Sequence, residues 1–258
     1  MVPNGVWSLP DLMIVALFFV LFATLGLLIP RLGYRLAGRM ANEPETRLVD
    51  RTQRGLRAFL VFLLALTLND VREKFVRMDG EASREASEIK QLHRLLEIDG
   101  SIYAKREREL LRDYAGAIAE DEWKSLGAKA PMLSARADEI LAELRRLAKR
   151  SAMNSPHGEG SGLWTGLIEL EDLRQARLQK AQSSTAPLFW IVIGLMTFLE
   201  CLMTTESNMS LRRKVTLGGY YGCLGMIVAL ILIFERPFSG ATRLSAEPFR
   251  QVATLSDQ

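Results

Sequence analysis

The chain has 258 residues, of which 48% are hydrophobic and 24% charged, with 33 Lys and Arg against 30 Asp and Glu. An apolar fraction this high excludes a disordered chain, and the length allows one large domain or two small ones. The net charge of +3 is too small to indicate a nucleic-acid partner. Because the apolar residues are concentrated in long uncharged runs, a purely soluble domain is excluded as well.

The first apolar run, residues 12–30, predicts a membrane-spanning helix. It carries no charge between Met13 and Ile29. A cleaved secretory signal is the alternative, but residues 1–11 lack the basic n-region of a signal peptide, and the run exceeds its usual h-region of about 7–15 residues. We therefore expect a retained span.

The second apolar run, Ala58 to Leu68, is only 11 residues long. At about 1.5 Å per residue it covers roughly half of a 30 Å hydrocarbon layer. The flanking Arg57 and Arg72 can snorkel outward and lengthen the effective span. We predict a span over residues 56–70, with a buried core helix or a re-entrant segment as the alternative.

Residues 187–204 and 215–234 predict the third and fourth spans. Pro187 suits the first position of a helix, and Trp190 suits an interfacial aromatic belt. Only the ten residues 205–214 separate the two runs, so we expect an antiparallel helical hairpin.

The polar region between the second and third spans has helical periodicity. Apolar residues recur at steps of three and four from Val71 to Leu96, which predicts a long helix continuous with the second span. Similar faces predict helices near residues 110–118 and 133–147, and a Gly/Ser-rich loop at 154–162 precedes a further helix from Leu163.

These patterns predict an all-α membrane protein with four transmembrane helical segments and a helical extramembrane domain between the second and third. The predicted regions are a first helix pair (1–70), the helical domain (71–186), a second helix pair (187–236) and a tail (237–258). Seven arginines between the first two spans favour, by the positive-inside rule, outward-facing termini and an outward-facing central domain. Basic residues at both membrane ends of the central domain oppose that assignment.

Signatures of enzyme chemistry are missing from the sequence, which has no P-loop, HExxH or GxSxG. The only histidines, His93 and His157, lie on a polar helix and in a loop, and both cysteines lie in apolar runs. We predict that the protein is not an enzyme and has no cofactor and no metal site.

Glu200 lies in the third apolar run, where an acid near the bilayer centre costs about 2.5–3.5 kcal/mol. It is a candidate ion-path or proton-path group; the alternative is that the span ends near Leu199 and Glu200 lies among the headgroups. Asn69 and Asp70 have the same two interpretations, as polar groups at the end of a pore or as the interfacial end of a helix.

A short motif follows the last span and combines a charged pair, a helix-stopping proline and a turn. A stop at the membrane edge accounts for all of it; a further hypothesis is that its phenylalanine packs into the helical domain and fixes that domain to the last span. The residues are Glu235, Arg236, Pro237, Phe238, Ser239 and Gly240.

The ending ERPFSGATRLSAEPF at 235–249 resembles the signature that closes the bestrophin-like domain family of bacterial and plant membrane proteins. The family usually has Asp where this chain has Glu235. Weaker matches are the stretch Gly80–Ala86, Tyr114, and the pair Glu122-Trp123. The resemblance covers residues 45–250.

The resemblance implies a function, because the family is similar to bestrophins, which are pentameric anion channels with four spans and a cytosolic helical domain. It therefore implies a homo-oligomer, a pentamer by analogy, in a bacterial inner membrane, with ions and the lipid bilayer as partners and the central domain in the cytosol. Second spans of bestrophins line the pore, so Phe59, Phe62 and Leu66 are the nearest candidates by position. No dense acidic run follows Phe234, so calcium gating is not carried over.

Two hypotheses of function follow. In the first, the protein is an ion channel or permeation protein in which spans two and three face a central path, and Asp70 and Glu200 bias that path towards cations. In the second, it is a non-conducting scaffold or stress sensor whose helical domain recruits a partner through the apolar face of residues 133–147.

Overall fold

A computed structural model describes residues 10–37, 47–98, 101–128, 130–154, 160–183, 186–203 and 210–255. These residues are largely α-helical, as the periodicity predicts. In chain order the helices are α1 (Asp11–Ala37), α2 (Arg47–Ile98), α3 (Ala104–Ala117), a π-helical segment (Ile118–Glu122), α4 (Trp123–Leu126), α5 (Ala135–Asn154), α6 (Gly160–Gln182), α7 (Pro187–Met203), α8 (Leu211–Phe234) and α9 (Glu247–Ala253).

The described residues form two compact units. The membrane unit is drawn from Met1–Lys74, Thr185–Glu235 and Gly240–Thr242, and the helical unit from Phe75–Ser184, Arg236–Ser239 and Arg243–Gln258. Most of the predicted tail therefore belongs to the helical unit and does not form a region of its own.

Three of the described stretches are long and apolar enough to cross a membrane, namely Asp11–Arg31, Gly162–Cys201 and Leu211–Phe234. They contain the first, third and fourth predicted spans. The second predicted span, residues 56–70, is not among them, because charged residues border its short apolar core at both ends. Four spans therefore remain a prediction, and three candidate spans are observed.

In the membrane unit, α1 and α8 pack along most of their lengths. Gly222 of α8 lies against the ring of Phe19, and Gly225 lies against Phe18. A Cβ atom at residue 225 would come within 2.4 Å of the Phe18 carbonyl oxygen, so only glycine fits there. Residues later in α8 meet residues earlier in α1, so the two helices are antiparallel.

A single helix of 52 residues, α2, joins the second predicted span to the polar region, as its periodicity predicts. In the membrane unit it buries one face, formed by Leu60, Leu64, Thr67 and Val71. These positions recur at steps of three and four, which is the spacing of one helix face.

The helical unit has its own apolar core, built by α3, α5, α6, α9 and the later part of α2. The predicted helix at 133–147 is α5, and its face buries Ala137 and Leu144 completely within this core. Both ends of the predicted loop at 154–162 are helical, since α5 ends at Asn154 and α6 begins at Gly160; residues 155–159 lie outside the described residues.

Candidate functional site

Glu200 is fully buried in the membrane unit, where it pairs with an arginine. The Arg57 Nε atom donates to Glu200 Oε1 at 2.6 Å, and the Tyr220 hydroxyl donates to Glu200 Oε2 at 3.3 Å. The Arg57 guanidinium also lies 5.6 Å from the centre of the Tyr220 ring. Three helices, α2, α7 and α8, each supply one member of this cluster.

The cluster explains how an acid can lie in an apolar helix. Charged residues within membrane segments usually face a bundle interior and pair with one another. The Glu200 side chain is 0% exposed, whereas the Arg57 side chain is 34% exposed and reaches towards the surface of the unit. Arg57 therefore compensates the buried carboxylate, a role that its position as a flanking residue did not indicate.

The predicted pore residues of α2 lie on a side of the helix that the membrane unit leaves uncovered. Phe59, Phe62 and Leu66 are 50%, 58% and 52% exposed. Asn69 and Asp70 continue along this side and are exposed too. Asp70 forms an i,i+4 ion pair of 2.7 Å with Lys74, so its charge has a basic neighbour.

The structure thus divides the predicted ion-path residues into two groups. The five on α2 line up along one exposed side, while Glu200 is buried against Arg57. Whether either group contacts a permeating ion stays a prediction.

A second cluster of charges is buried in the helical unit around Glu122. Arg174 donates to Glu122 through Nε at 2.9 Å and through Nη2 at 2.6 Å, and the Ser134 backbone N–H donates to the same carboxylate at 3.0 Å. Burial alone would raise the pKa of Glu122, but the hydrogen bonds from Arg174 and the charge of Arg177 together lower it. Glu122 is therefore an ionised, fully paired carboxylate.

Glu85 completes this cluster from α2. Arg177 bridges the two acids by donating to both Glu85 and Glu122. Burial raises the pKa of Glu85 to about 7, although the Arg177 guanidinium acts in the opposite direction. Two buried carboxyl groups thus share two arginines, yet one of them titrates near neutral pH.

The closing motif joins the same region. The Phe238 ring packs edge-on against Trp123 with centroids 5.2 Å apart, so Phe238 lies within the helical unit as predicted; its link to the last span stays a prediction. The Trp123 indole N–H donates to the Leu244 carbonyl at 2.9 Å. Arg177 lies over the Trp123 ring, with 5.5 Å between its guanidinium carbon and the ring centroid.

The chain returns to the membrane unit at Gly240, the last residue of the motif. Gly240 has a φ of +89°, a backbone conformation that favours glycine. The Thr242 hydroxyl donates to Asp11 in the first turn of α1. The segment after α8 is therefore tied to the beginning of α1, in agreement with their antiparallel packing.

Several residues that carry the family resemblance lie at or near the buried charges around Glu122. Glu85 belongs to the stretch Gly80–Ala86, and Tyr114 packs beneath Arg174, 5.9 Å from its guanidinium carbon. Several residues that carry the resemblance thus belong to the interior of the helical unit, whereas Gly240 and Thr242 of the closing signature belong to the membrane unit. Sequence reasoning missed Arg174 as a partner, although the apolar face of α6 that includes Leu163, Leu167 and Leu170 continues directly into the buried residues 174 and 177.

Comparison with known proteins gives one family and a consistent fold. The family model of the Bestrophin-like domain matches residues 17–249. No curated protein matches the chain.

Solved structures of similar fold include bacterial membrane proteins. A variant of a bacterial bestrophin homologue from Klebsiella pneumoniae is similar with a TM-score of 0.70 and 11% identity, over 93% of this chain and 97% of that one. Another structure of the Klebsiella pneumoniae homologue is similar with a TM-score of 0.65 and 13% identity, over 92% of this chain and 95% of that one. A variant of a membrane protein is similar with a TM-score of 0.69 and 11% identity, over 93% of this chain and 94% of that one. At these identities the similarity shows a shared fold.

Proposed function

The chain belongs to the Bestrophin-like domain family, and from this premise we propose that it forms a membrane-embedded homo-oligomer that conducts ions. The oligomer surrounds a central path lined by α2, and a pentamer in a bacterial inner membrane is the arrangement that the family suggests. This role is permeation and not catalysis.

One observation carries the proposal, namely the uncovered apolar side of α2. Phe59, Phe62 and Leu66 lie in the first half of α2, where another face of the helix is buried by Leu60, Leu64, Thr67 and Val71. Within the described residues of a single chain this side is exposed, whereas copies arranged around an axis would bring the same side of each α2 together. Rings of apolar side chains are a known form of constriction in channels.

The same proposal requires α2 to cross the membrane, and the Arg57–Glu200 pair supports this. Because Glu200 compensates Arg57, the uncharged segment around the apolar core can be extended back past Arg57 to Gly55. The segment from residue 55 to residue 69 then extends roughly 22 Å along the helix axis at about 1.5 Å per residue. Local thinning of the bilayer or snorkelling of flanking side chains can cover the remaining thickness.

The proposed path has no strong preference for cations. Glu200 is paired with Arg57, and Asp70 with Lys74. Asp70 on the exposed side of α2 is therefore balanced by a base, and Glu200 is buried away from that side, so the cation bias expected from a ring of acids does not follow.

The test is ion flux into liposomes that contain the purified full chain. We expect flux of both K⁺ and Cl⁻ above that of protein-free liposomes, and we expect Phe62→Ala to increase it because a smaller side chain widens the ring. Val20→Ala is the matched control, since Val20 is exposed to the same degree but lies on α1.

Absence of flux for all ions tested, from a protein that keeps its subunit number, would contradict the proposal. It would favour the scaffold hypothesis, although the α5 face proposed for partner recruitment is already occupied by the core of the helical unit.

A further inference from the structure

The membrane unit contains a cavity of about 270 Å³ between α1, α7 and α8. None of the described residues that line it is charged. Its wall includes Phe22, Leu25, Trp190, Gly194, Phe198 and Tyr221.

The cavity opens on the outer surface of the membrane unit. Leu25, Gly194 and Phe198 are exposed, which places them at its rim. Thr197 contributes a hydroxyl to the wall, but this hydroxyl donates to the Ile193 carbonyl of its own helix at 2.8 Å. The wall therefore offers a guest chiefly apolar contacts.

An apolar cavity of this size favours an apolar guest. Cavities of about 150 Å³ lined by Leu, Ile and Phe stay dry and bind benzene, and this one is larger. Left empty, its lining would lose dispersion contacts. The three helices around it belong to stretches apolar enough to cross a membrane, and a membrane position of these helices would place the rim against lipid hydrocarbon.

We propose that this cavity binds one acyl chain of a membrane phospholipid. The chain enters sideways from the bilayer through the rim formed by α1 and α7. Because no charged side chain lines the described wall, the acyl chain is recognised and the headgroup is not. The site stands apart from the proposed ion path, since α2 contributes nothing to the described wall.

Gly194 lies both in the wall and at the rim of the cavity, so a larger side chain at this position gives a way to obstruct the cavity. A Cβ atom at this position meets no atom within 4 Å, so Gly194→Leu places its side chain in open space without a clash. Gly219 on α8 is the matched control, because it too has nothing within 4 Å and does not belong to the wall.

The measurement is native mass spectrometry of the purified full chain after addition of phosphatidylcholine or phosphatidylglycerol. Activation in the gas phase removes loosely held lipid, and the molecules that remain per chain are counted. We expect wild type and Gly219→Leu to retain one phospholipid more than Gly194→Leu, with either headgroup.

A second pair of variants covers the case in which Gly194→Leu does not fold. Leu25→Trp narrows the rim and should reduce retention, whereas Leu28→Trp, at an exposed position of α1 outside the wall, should not. Equal retention of phospholipid by each cavity variant and its control would overturn the proposal. Retention of only phosphatidylcholine or only phosphatidylglycerol would overturn it as well. A changed subunit number in Gly194→Leu would also overturn it, because the occupant would then be a second copy of the chain.

Discussion

Arg57 and Glu200 form a partly buried ion pair, and this pairing gives each residue a role that its position in the sequence did not indicate. Each was conspicuous in the sequence as a charge next to or within an apolar run. The fold brings them together across 143 positions of the chain, within a 2.6 Å hydrogen bond. No periodicity or motif in the sequence connects them, because a long-range ion pair depends on how α2 and α7 pack.

Removing one partner of this pair should destabilise the membrane unit. Arg57→Gln leaves the buried Glu200 carboxylate without its cation, and breaking a buried pair in this way costs about 3–5 kcal/mol. We expect the lower end of that range, because one third of the Arg57 side chain is exposed. The measurement is the free energy of unfolding in mixed detergent micelles.

The double variant Arg57→Gln/Glu200→Gln is the control for this prediction. It removes both charges and should recover most of the lost free energy of unfolding, as a double-mutant cycle requires of coupled residues. Additive losses in the two single variants would show that the pair is not coupled.

Glu85 should make the stability of the helical unit depend on pH. Its pKa is raised from 4.5 to about 7 in the fold, so the folded state holds more protons than the unfolded state between these values. The stabilisation is complete below about pH 4.5 and is lost as the pH rises through 7. Glu122 has the opposite sign, since its pKa is lowered, and its contribution is lost only as the pH falls below its ordinary range.

Glu85→Gln tests this dependence, because glutamine cannot ionise. Between pH 5 and pH 7.5 we expect the midpoint of thermal unfolding to fall for wild type relative to Glu85→Gln, by an amount equivalent to about 2–3 kcal/mol. Tryptophan fluorescence is a suitable readout, since Trp123 packs against Arg177. Glu169→Gln, in the exposed pair with Arg84, should follow wild type. Parallel profiles for Glu85→Gln and wild type would refute the assignment.

Among the elements, the α-helices with clear apolar faces could be predicted, but their irregularities could not. The buried residues Leu110, Tyr114, Ile118, Glu122 and Leu126 recur at a strict step of four. In an α-helix such a series rotates by about 40° per step, because 3.6 residues make one turn. The wider π-helical turn Ile118–Glu122 takes up that drift and keeps Glu122 inside. The acidic run 120–122 therefore contains one buried acid, Glu122, beside two exposed ones.

The close packing of α1 against α8 predicts that one added carbon atom at Gly225 destabilises the membrane unit. Gly225→Ala places a Cβ atom 2.4 Å from the Phe18 carbonyl oxygen, so the helices must separate. We expect a loss of about 1–3 kcal/mol in the free energy of unfolding, as for overpacked cores. Gly219→Ala, which meets no neighbouring atom, should be neutral or stabilising by up to about 1 kcal/mol because alanine favours the helix. Equal effects of the two substitutions would contradict the packing.

For the whole molecule, the sequence predicted the helical class, the order of the apolar segments and the family. It could not decide whether α2 crosses the membrane, since a short apolar core beside charges is ambiguous, and this span stays a prediction. It also could not separate the closing motif from the last span. The fold does so by packing Phe238 against Trp123 and returning the chain to α1 at Thr242.

Chemical modification in a planar bilayer can show whether the exposed side of α2 lines an ion path, as we propose. The native cysteines, buried Cys201 and exposed Cys223, are first replaced by alanine. Phe62→Cys is then introduced, and a charged methanethiosulfonate reagent is added during current recording. We expect a rapid change in current for Phe62→Cys and none for Val20→Cys on α1. An unchanged current in a Phe62→Cys protein that mass spectrometry shows to be labelled would contradict the proposed path.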